Sequence, residues 1–329
     1  MSNMKSLSHK IRNFLLNNLL LVFVIILWIF ASFLSKKFLT TNNLLNLLKT
    51  ASMKGTLAVG MTVAIICGQI DMSVSSTVAM TGVVLGMCFA AIPNPYVALV
   101  VGILVMLFVG VAMASTHSFF VIKYNMPPMI VTMATMKLLY GFCGLLCNGY
   151  PITTFPTFYS KLGGAKLFGW LPSASIWFIV SIIAVSFILS RTKFGRDVYA
   201  TGGNLQAAKL SGINVNRTRW FAYFLVQIVA IAAGIILSSQ VRAGNHSYAQ
   251  DWGLDIISSV IIGGTSFAGG VGTVPGTVVG MILVSTINNV LTLLNVSTFY
   301  QYLCQGALML FAVVINTIKD SALSKRVNA

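Results

Sequence analysis

The residues with the clearest chemical potential in this sequence are a few carboxylates and amides that lie in or beside long apolar runs. Asp71 and Asp255 are the two of the five acidic residues expected to approach the apolar interior, and glutamate is absent. Asn288, Asn289 and Gln305 add amides in or next to the last two runs. Amides can hydrogen-bond the hydroxyl groups of a neutral polyol, and ionisable groups near an apolar interior indicate function by default. We therefore take these residues as candidates to line a path for a solute.

Each candidate also has a plainer structural role. Asp71 can cap the helix predicted to begin near Val74, and Asp255 can cap the helix that it opens, because a helix N-terminus favours an anion. Amides on apolar helices more often bond to a neighbouring helix than to a ligand. The residues alone leave both alternatives open, although we expect Asp71→Ala to impair transport more than assembly.

Two glycine-rich, polar segments interrupt the apolar runs, at 67–76 and 263–272. Ser73 lies in the first and Thr265 in the second, and both join the path candidates. Irregular backbone cannot face lipid, so these breaks must be buried in protein or line a wet cavity. Six predicted crossings separate them, which gives them the same orientation, so we infer no inverted repeat.

Patterns for catalysis or metal binding are missing from the sequence. The three histidines are scattered, and no acid or histidine lies close in sequence to the pair Cys143 and Cys147. All five cysteines are expected to be buried free thiols. No glycine-rich phosphate loop occurs either. We therefore expect no catalytic residues, no metal and no cofactor, with ATP used by a partner subunit if transport is active.

The composition defines the class of protein. The chain is 57% hydrophobic and 8% charged, whereas soluble domains carry about 25% charged residues. A net charge of +16 would suit nucleic acid, but the basic residues form short clusters between apolar runs, which is a membrane-topology pattern. The sequence thus predicts no nucleic-acid partner. It predicts an all-α polytopic membrane protein, a single domain over 1–329, with about ten transmembrane helices and short broken or re-entrant segments.

The hydrophobic runs place the spans and their orientation. The first run is too long for a cleaved signal, and Lys5, Lys10 and Arg12 precede it, so both termini are predicted in the cytoplasm of a bacterial cell (inner) membrane. Four lysines near the first connection, Lys36, Lys37, Lys49 and Lys54, disagree with this orientation because they would lie outside.

The sequence also predicts the positions of the individual elements. An interfacial helix is predicted within 36–49 and an external loop over 148–172. The predicted spans are 14–34, 53–69, 74–92, 96–115, 129–147, 174–190, 220–239, 252–266, 275–294 and 299–317.

The longest polar interval, 191–219, holds six of the 21 lysines and arginines. Its middle predicts a short helix in which Asn204 is the N-cap, Leu205 to Ser211 form about two turns, and Gly212 ends them in a left-handed conformation. Leu205, Ala208 and Leu210 would give this helix a small apolar face. A partner protein could bind such a segment. The same composition is also typical of a cytoplasmic loop whose basic residues only fix the topology.

Several long motifs in this chain resemble those of the ribose-type permeases of ABC (ATP-binding-cassette) sugar importers, over nearly the whole length. The residues that carry the resemblance are Gln69-Ile70-Asp71-Met72-Ser73-Val74-Ser75-Ser76, the run from Gly195 through Ile213, and the run from Leu254 through Gly272. This sequence departs from the family at several positions. Leu205, Gln206 and Gly253 each stand where the family usually has an acidic residue.

The resemblance implies a transmembrane permease subunit that forms the path for a sugar or sugar-like solute. It implies three partners: an ATP-binding subunit, a second permease copy or paralogue, and an extracytoplasmic substrate-binding protein. The alternative is a self-sufficient secondary carrier for a small polar solute. By the same resemblance, the residues that would meet the ATP-binding subunit are Gly202, Gly203, Asn204, Ala207, Ala208, Leu210, Ser211 and Gly212.

Overall fold

A computed structural model describes residues 19–327 of the chain, with side chains up to Val314. Within that range the chain forms thirteen α-helices and one two-stranded antiparallel hairpin. The elements are α1 (Leu19–Leu34), α2 (Thr41–Ile66), α3 (Val74–Ala91), α4 (Pro95–Ser118) with a π-helical extension (Phe119–Lys123), α5 (Pro128–Leu146), α6 (Thr157–Gly164), β1 (Lys166–Leu167), β2 (Leu171–Pro172), α7 (Ser173–Arg191), α8 (Lys193–Gly203), α9 (Leu205–Leu210), α10 (Val215–Val241), α11 (Trp252–Ile262), α12 (Val274–Leu293) and α13 (Thr298–Val327).

Six of the described helices are long and apolar enough to cross a membrane: α3, α4 with its extension, α5, α7, α10 and α12. The helix α1, the helix α11 and the apolar part of α13 (Thr298–Val314) are shorter. The helix α2 has 26 residues but begins with a polar stretch that includes Lys49 and Lys54. Each of the ten predicted spans overlaps one of these helices, and the prediction of an all-α polytopic membrane protein is confirmed.

Several predicted boundaries were wrong. The interfacial helix expected within 36–49 is not separate, because α2 runs without a break from Thr41 to Ile66. An interruption there would have left backbone groups without partners, and continuing the helix pairs them. The helix α11 ends at Ile262, earlier than the predicted 266, and α10 begins at Val215, earlier than the predicted 220.

The helices α2 and α10 form the centre of the bundle. From Ala51 to Ile66, α2 is buried on every side except at Lys54, and it packs against α7, α10, α11 and α12. The helix α10 packs against α2, α3, α4 and α6. Glycines let these helices approach closely, since a Cβ at Gly60 would meet Val229 at 2.9 Å. Small residues at crossings are typical of membrane helices, where close packing replaces the hydrophobic effect.

The predicted external loop over 148–172 is ordered against the bundle. Tyr159 of α6 is fully buried, and its hydroxyl lies 2.8 Å from Ser238 Oγ and donates to the Ile235 carbonyl at 3.2 Å. An isolated antiparallel bridge pairs Ile152 with Gly244. This segment therefore covers the end of α10 that lies opposite α8 and α9.

The short capped helix predicted in the polar interval is confirmed as α9. The Asn204 Oδ1 atom accepts from the backbone N–H groups of Gln206 at 3.0 Å and Ala207 at 2.9 Å. Gly212 has φ +77°, the left-handed conformation that ends many helices. The predicted apolar face is only partly right, because Ala208 is buried whereas Leu210 is 90% exposed.

Replacing Asn204 by alanine tests this cap. The loss of both hydrogen bonds should destabilise α9 locally by about 1 kcal/mol, which corresponds to roughly fivefold faster amide exchange. Hydrogen–deuterium exchange of the peptide that contains Gln206 and Ala207 is the measurement. Asn216→Ala is the matched control, since Asn216 is exposed and lies in α10 rather than at a cap. Equal exchange in both variants would contradict the assignment.

Candidate functional site

The two glycine-rich breaks meet at one end of the bundle, and α8 packs on both. The Gly270 N–H donates to the Ile66 carbonyl at 2.8 Å, and the Tyr199 hydroxyl donates to the Gly272 carbonyl at 2.8 Å. A Cβ atom at Gly202 would collide with the Ile66 carbonyl and with the Gly270 nitrogen. The polar interval 191–219 is thus in backbone contact with the end of α2 and with the second glycine-rich break.

The first break is buried in protein, as its composition predicted. Residues 69–76 are all buried, Ser73 among them. Thr265 is fully buried in the second break, and its methyl and hydroxyl groups lie where a Cβ of Gly272 would have to go. Gly264, Phe267 and other residues of the second break are exposed, so this break is covered on one side only.

Asp71 is the centre of a buried polar cluster of five residues. Its Oδ1 atom accepts from the Ser73 backbone N–H at 2.9 Å and from the Ser73 hydroxyl at 2.6 Å, as a local cap does. Its Oδ2 atom accepts from Gln227 Nε2 at 2.8 Å and lies 3.5 Å from His117 Nδ1. His117 Nε2 in turn lies 2.8 Å from Thr135 Oγ1. One oxygen of Asp71 therefore bonds locally before α3, as the capping alternative expected, and the other contacts residues of two distant helices, α10 and α4. The place of Asp71 on a path stays a prediction.

His117 and Gln227 were missed by sequence reasoning, which treated the histidines as scattered. Both are fully buried, and 156 positions separate Gln227 from Asp71. The available signal was that each polar side chain inside an apolar helix needs a partner there. That signal does not say which partner, so the cluster could not be assembled from the sequence.

Asp255 does not act as a helix cap, and that interpretation was wrong. Its carboxylate is paired with Lys54, with an N–O distance of 2.5 Å, and the Asp255 and Lys54 side chains are 3% and 16% exposed. A lysine from the neighbouring helix α2 supplies a full charge, which offsets burial of a carboxylate better than a helix end does. Sequence reasoning counted Lys54 only as an exception to the positive-inside tendency and assigned it no partner, whereas its side chain points into the bundle.

The predicted amides fall into different surroundings. Asn289 and Asn43 exchange two hydrogen bonds of 2.9 Å, so Asn289 ties α12 to α2. Asn288 donates to Asp255 Oδ2 at 3.4 Å and extends the ion pair. Gln305 lies half-buried on α13, which packs against α11. The path candidates thus form two groups, one around Asp71 and Ser73 and one around Asp255 and Asn288, with Asn289 beside the second.

Comparison with known proteins gives the family. The family described as "Branched-chain amino acid transport system / permease component" matches residues 43–313. The chain belongs to this permease family. No solved structure matches it.

Curated relatives cover nearly the whole permease. It is 35% identical over 298 residues to the ribose import permease protein RbsC of Bacillus subtilis (strain 168), covering 90% of this chain and 91% of the relative. It is 35% identical over 308 residues to the protein of the same name in Escherichia coli (strain K12), covering 91% and 93%. It is 33% identical over 280 residues to the L-arabinose ABC transporter permease protein AraH of Azospirillum brasilense, covering 85% and 81%.

Replacement of Asp71 by alanine should destabilise the permease. The change removes one of the two acceptors of Gln227 Nε2, the other being Ser73 Oγ, and the carboxylate that faces His117 Nδ1. Buried polar atoms left unpaired cost about 1–3 kcal/mol each. We therefore expect impaired assembly as well as impaired transport, beyond the sequence-based expectation. Thermal unfolding in detergent should show a Tm lower by about 5 °C or more.

The control for this variant is Asp251→Ala, because Asp251 is exposed and, among the described residues, its carboxylate accepts a hydrogen bond from Tyr302 alone. An Asp71→Ala protein that unfolds at the same temperature as this control would show that the buried cluster contributes nothing to stability.

Proposed function

We propose that this permease is the transmembrane subunit of an ABC importer and forms the path for a sugar or sugar-like solute. The observation that carries the proposal is the coverage of relatives named for ribose and arabinose import, at 33–35% identity over most of both chains. The sequence has no phosphate-binding loop, so a partner subunit would use the ATP. The secondary-carrier alternative is not favoured.

The proposed orientation puts α8 and α9 in the cytoplasm. Six of the ten helices that correspond to predicted spans precede this interval and four follow it. Arg191, Lys193, Arg196, Lys209 and Arg217 are basic residues of the interval, and basic loops favour the cytoplasmic side. With this orientation both termini are cytoplasmic in a bacterial inner membrane, and the loop over 148–172 faces the substrate-binding protein.

The contact with the ATP-binding subunit is proposed at α9. Ala207 and Leu210 point away from the bundle, whereas Ala208 packs into it. A groove of about 510 Å³ lies beside α9, between α8 and α10, and its lining includes Lys193, Asp197 and Arg217. Gly202 and Gly203 would carry movement of this surface to the two breaks, because they contact Gly270 and the end of α2 directly. Gly212 and Ser211 close α9 and fix its angle to α10.

The path would run between a pair of permease subunits or a permease and its paralogue. In this proposal Asp71 and Ser73 hold the first break in position near the cytoplasmic end. The second group, around Asp255, Asn288 and Asn289, lies nearer the opposite end, because Asp255 opens α11 and Asn288 lies close to the end of α12.

Charge on the exposed face of α9 tests the proposed function. Ala207→Glu and Leu210→Glu should each reduce co-purification of the ATP-binding subunit about tenfold, because a carboxylate would be buried without a partner at the contact. Ala208→Glu is unsuitable, since Ala208 is packed inside the chain. Pull-down from membranes, with the bound subunit quantified against the permease, is the measurement.

Phe168→Glu is the matched control, because Phe168 is 86% exposed in the hairpin of the other end. Undiminished co-purification in both α9 variants would contradict the assigned contact. Solute uptake that continues without any ATP-binding subunit would contradict the importer itself.

A further inference from the structure

The ion pair between Lys54 and Asp255 lies beside a small cavity that the fold does not fill. The cavity has a volume of about 180 Å³, and its lining includes Thr50, Lys54, Ser285, Asn288 and Thr292. Pockets for drug-sized ligands are larger, about 300 Å³ or more. This space therefore suits a small solute.

Hydrogen-bonding capacity remains unused at this cavity. The Asn288 Oδ1 atom is buried and accepts no hydrogen bond from the described residues. The Lys54 ammonium carries three N–H donors, and among the described residues it donates a hydrogen bond to Asp255 alone. Buried polar atoms normally have partners, so an unpaired acceptor beside a donor with spare capacity is an unusual feature.

The position of the cavity separates it from the cytoplasmic breaks. Asp255 lies eight residues before Gly263, where the second break begins, which is roughly 12 Å along a helix. On α12, Asn288 follows Thr273 by 15 residues, which is roughly 22 Å. The cavity therefore lies in the half of the bundle away from α8 and α9.

The charges at the cavity limit the chemistry of its ligand. Lys54 and Asp255 neutralise each other, so no net charge is present to attract a sugar acid, a phosphate or an ammonium compound. Two neighbouring hydroxyl groups of a polyhydroxylated solute can accept a hydrogen bond from the Lys54 ammonium and donate one to the Asn288 Oδ1 atom at the same time. The Trp252 ring, 5.9 Å from Lys54 Nζ, adds an aromatic surface next to the pair.

We propose that Lys54, Asp255 and Asn288 form a binding subsite for a neutral polyhydroxylated solute in the outer half of the passage, with Lys54 and Asn288 as the residues that contact it. This inference rests on the proposed function and specifies the solute class and the residues. Asp255 is a positioning residue here, because it holds the Lys54 ammonium at the cavity wall.

Protection of an engineered cysteine by solute tests the subsite. Thr50→Cys places a thiol at the exposed edge of the cavity, and its labelling by a maleimide is followed in membranes that contain the assembled importer. Wild-type labelling gives the background from the five native cysteines. D-ribose and L-arabinose are the sugar probes, and leucine is the comparison solute, because the family description names branched-chain amino acids.

A bound sugar should slow the labelling of Thr50→Cys, by about fourfold at a concentration three times its Kd. Adding Lys54→Met or Asn288→Leu should abolish this protection. Lys37→Cys, an exposed residue of the same end, should be labelled equally with and without sugar. Asn288→Leu removes the acceptor and one long hydrogen bond to Asp255 but leaves Lys54 and Asp255 paired, so the test survives if Lys54→Met fails to fold.

Several results would overturn the subsite. Labelling unaffected by either sugar, or a thiol at position 50 that no maleimide reaches, would exclude solute from the cavity. Protection by leucine alone would overturn the polyol class. Protection that persists in Asn288→Leu would remove that residue from the contact. If deletion of the chain leaves sugar uptake unchanged, the proposed function fails, whereas sugar uptake that depends on the chain without any protection rejects the subsite alone.

Discussion

The arrangement of the end of the bundle that carries α8 and α9 depends on three backbone segments that touch without side chains between them. The end of α2, the second break and the end of α8 meet at Ile66, Gly270 and Gly202. Only glycine permits this approach, because any Cβ at Gly202 would overlap a carbonyl. A contact between backbones has little compliance. We therefore expect a displacement of α8 to move α2 and the loop between α11 and α12 rather than to be absorbed by side-chain rotation.

Each buried carboxylate in the bundle is satisfied by residues from distant parts of the chain. Asp71 in the first break accepts a hydrogen bond from Gln227 of α10 and faces His117 of α4. Asp255 forms an ion pair with Lys54 of α2. Charges are costly in an apolar interior, and removing one partner is more costly than never having had the pair. These two groups thus fix how the helices are assembled. The group of Lys54, Asp255 and Asn288 also keeps unused donors and an unused acceptor beside the cavity.

The sequence was sufficient where a structure follows from local rules. Asn204 and Gly212 marked both ends of α9 correctly, because capping and left-handed termination depend on single residues. The ten apolar runs located ten helices for the same reason. Pairs across the bundle could not be predicted. Lys54 was counted only as an exception to the positive-inside tendency and Asp255 as a cap, because neither residue reveals its distant partner. Leu210 was grouped with Ala208 on one apolar face, whereas only Ala208 is buried, because helical periodicity in six residues does not define which side meets the bundle.

The shortness of α11 has a consequence for a segment far from it in sequence. Its 11 residues reach about 16 Å, roughly half of a bilayer's hydrocarbon thickness. The residues just before it, 242–251, are not helical, so their backbone groups need partners from elsewhere. The bridge to Ile152 pairs both backbone groups of Gly244. A deletion in the loop around Ile152 would consequently leave the Gly244 backbone unpaired, so the tolerance of that loop to shortening is set by a helix about a hundred positions downstream.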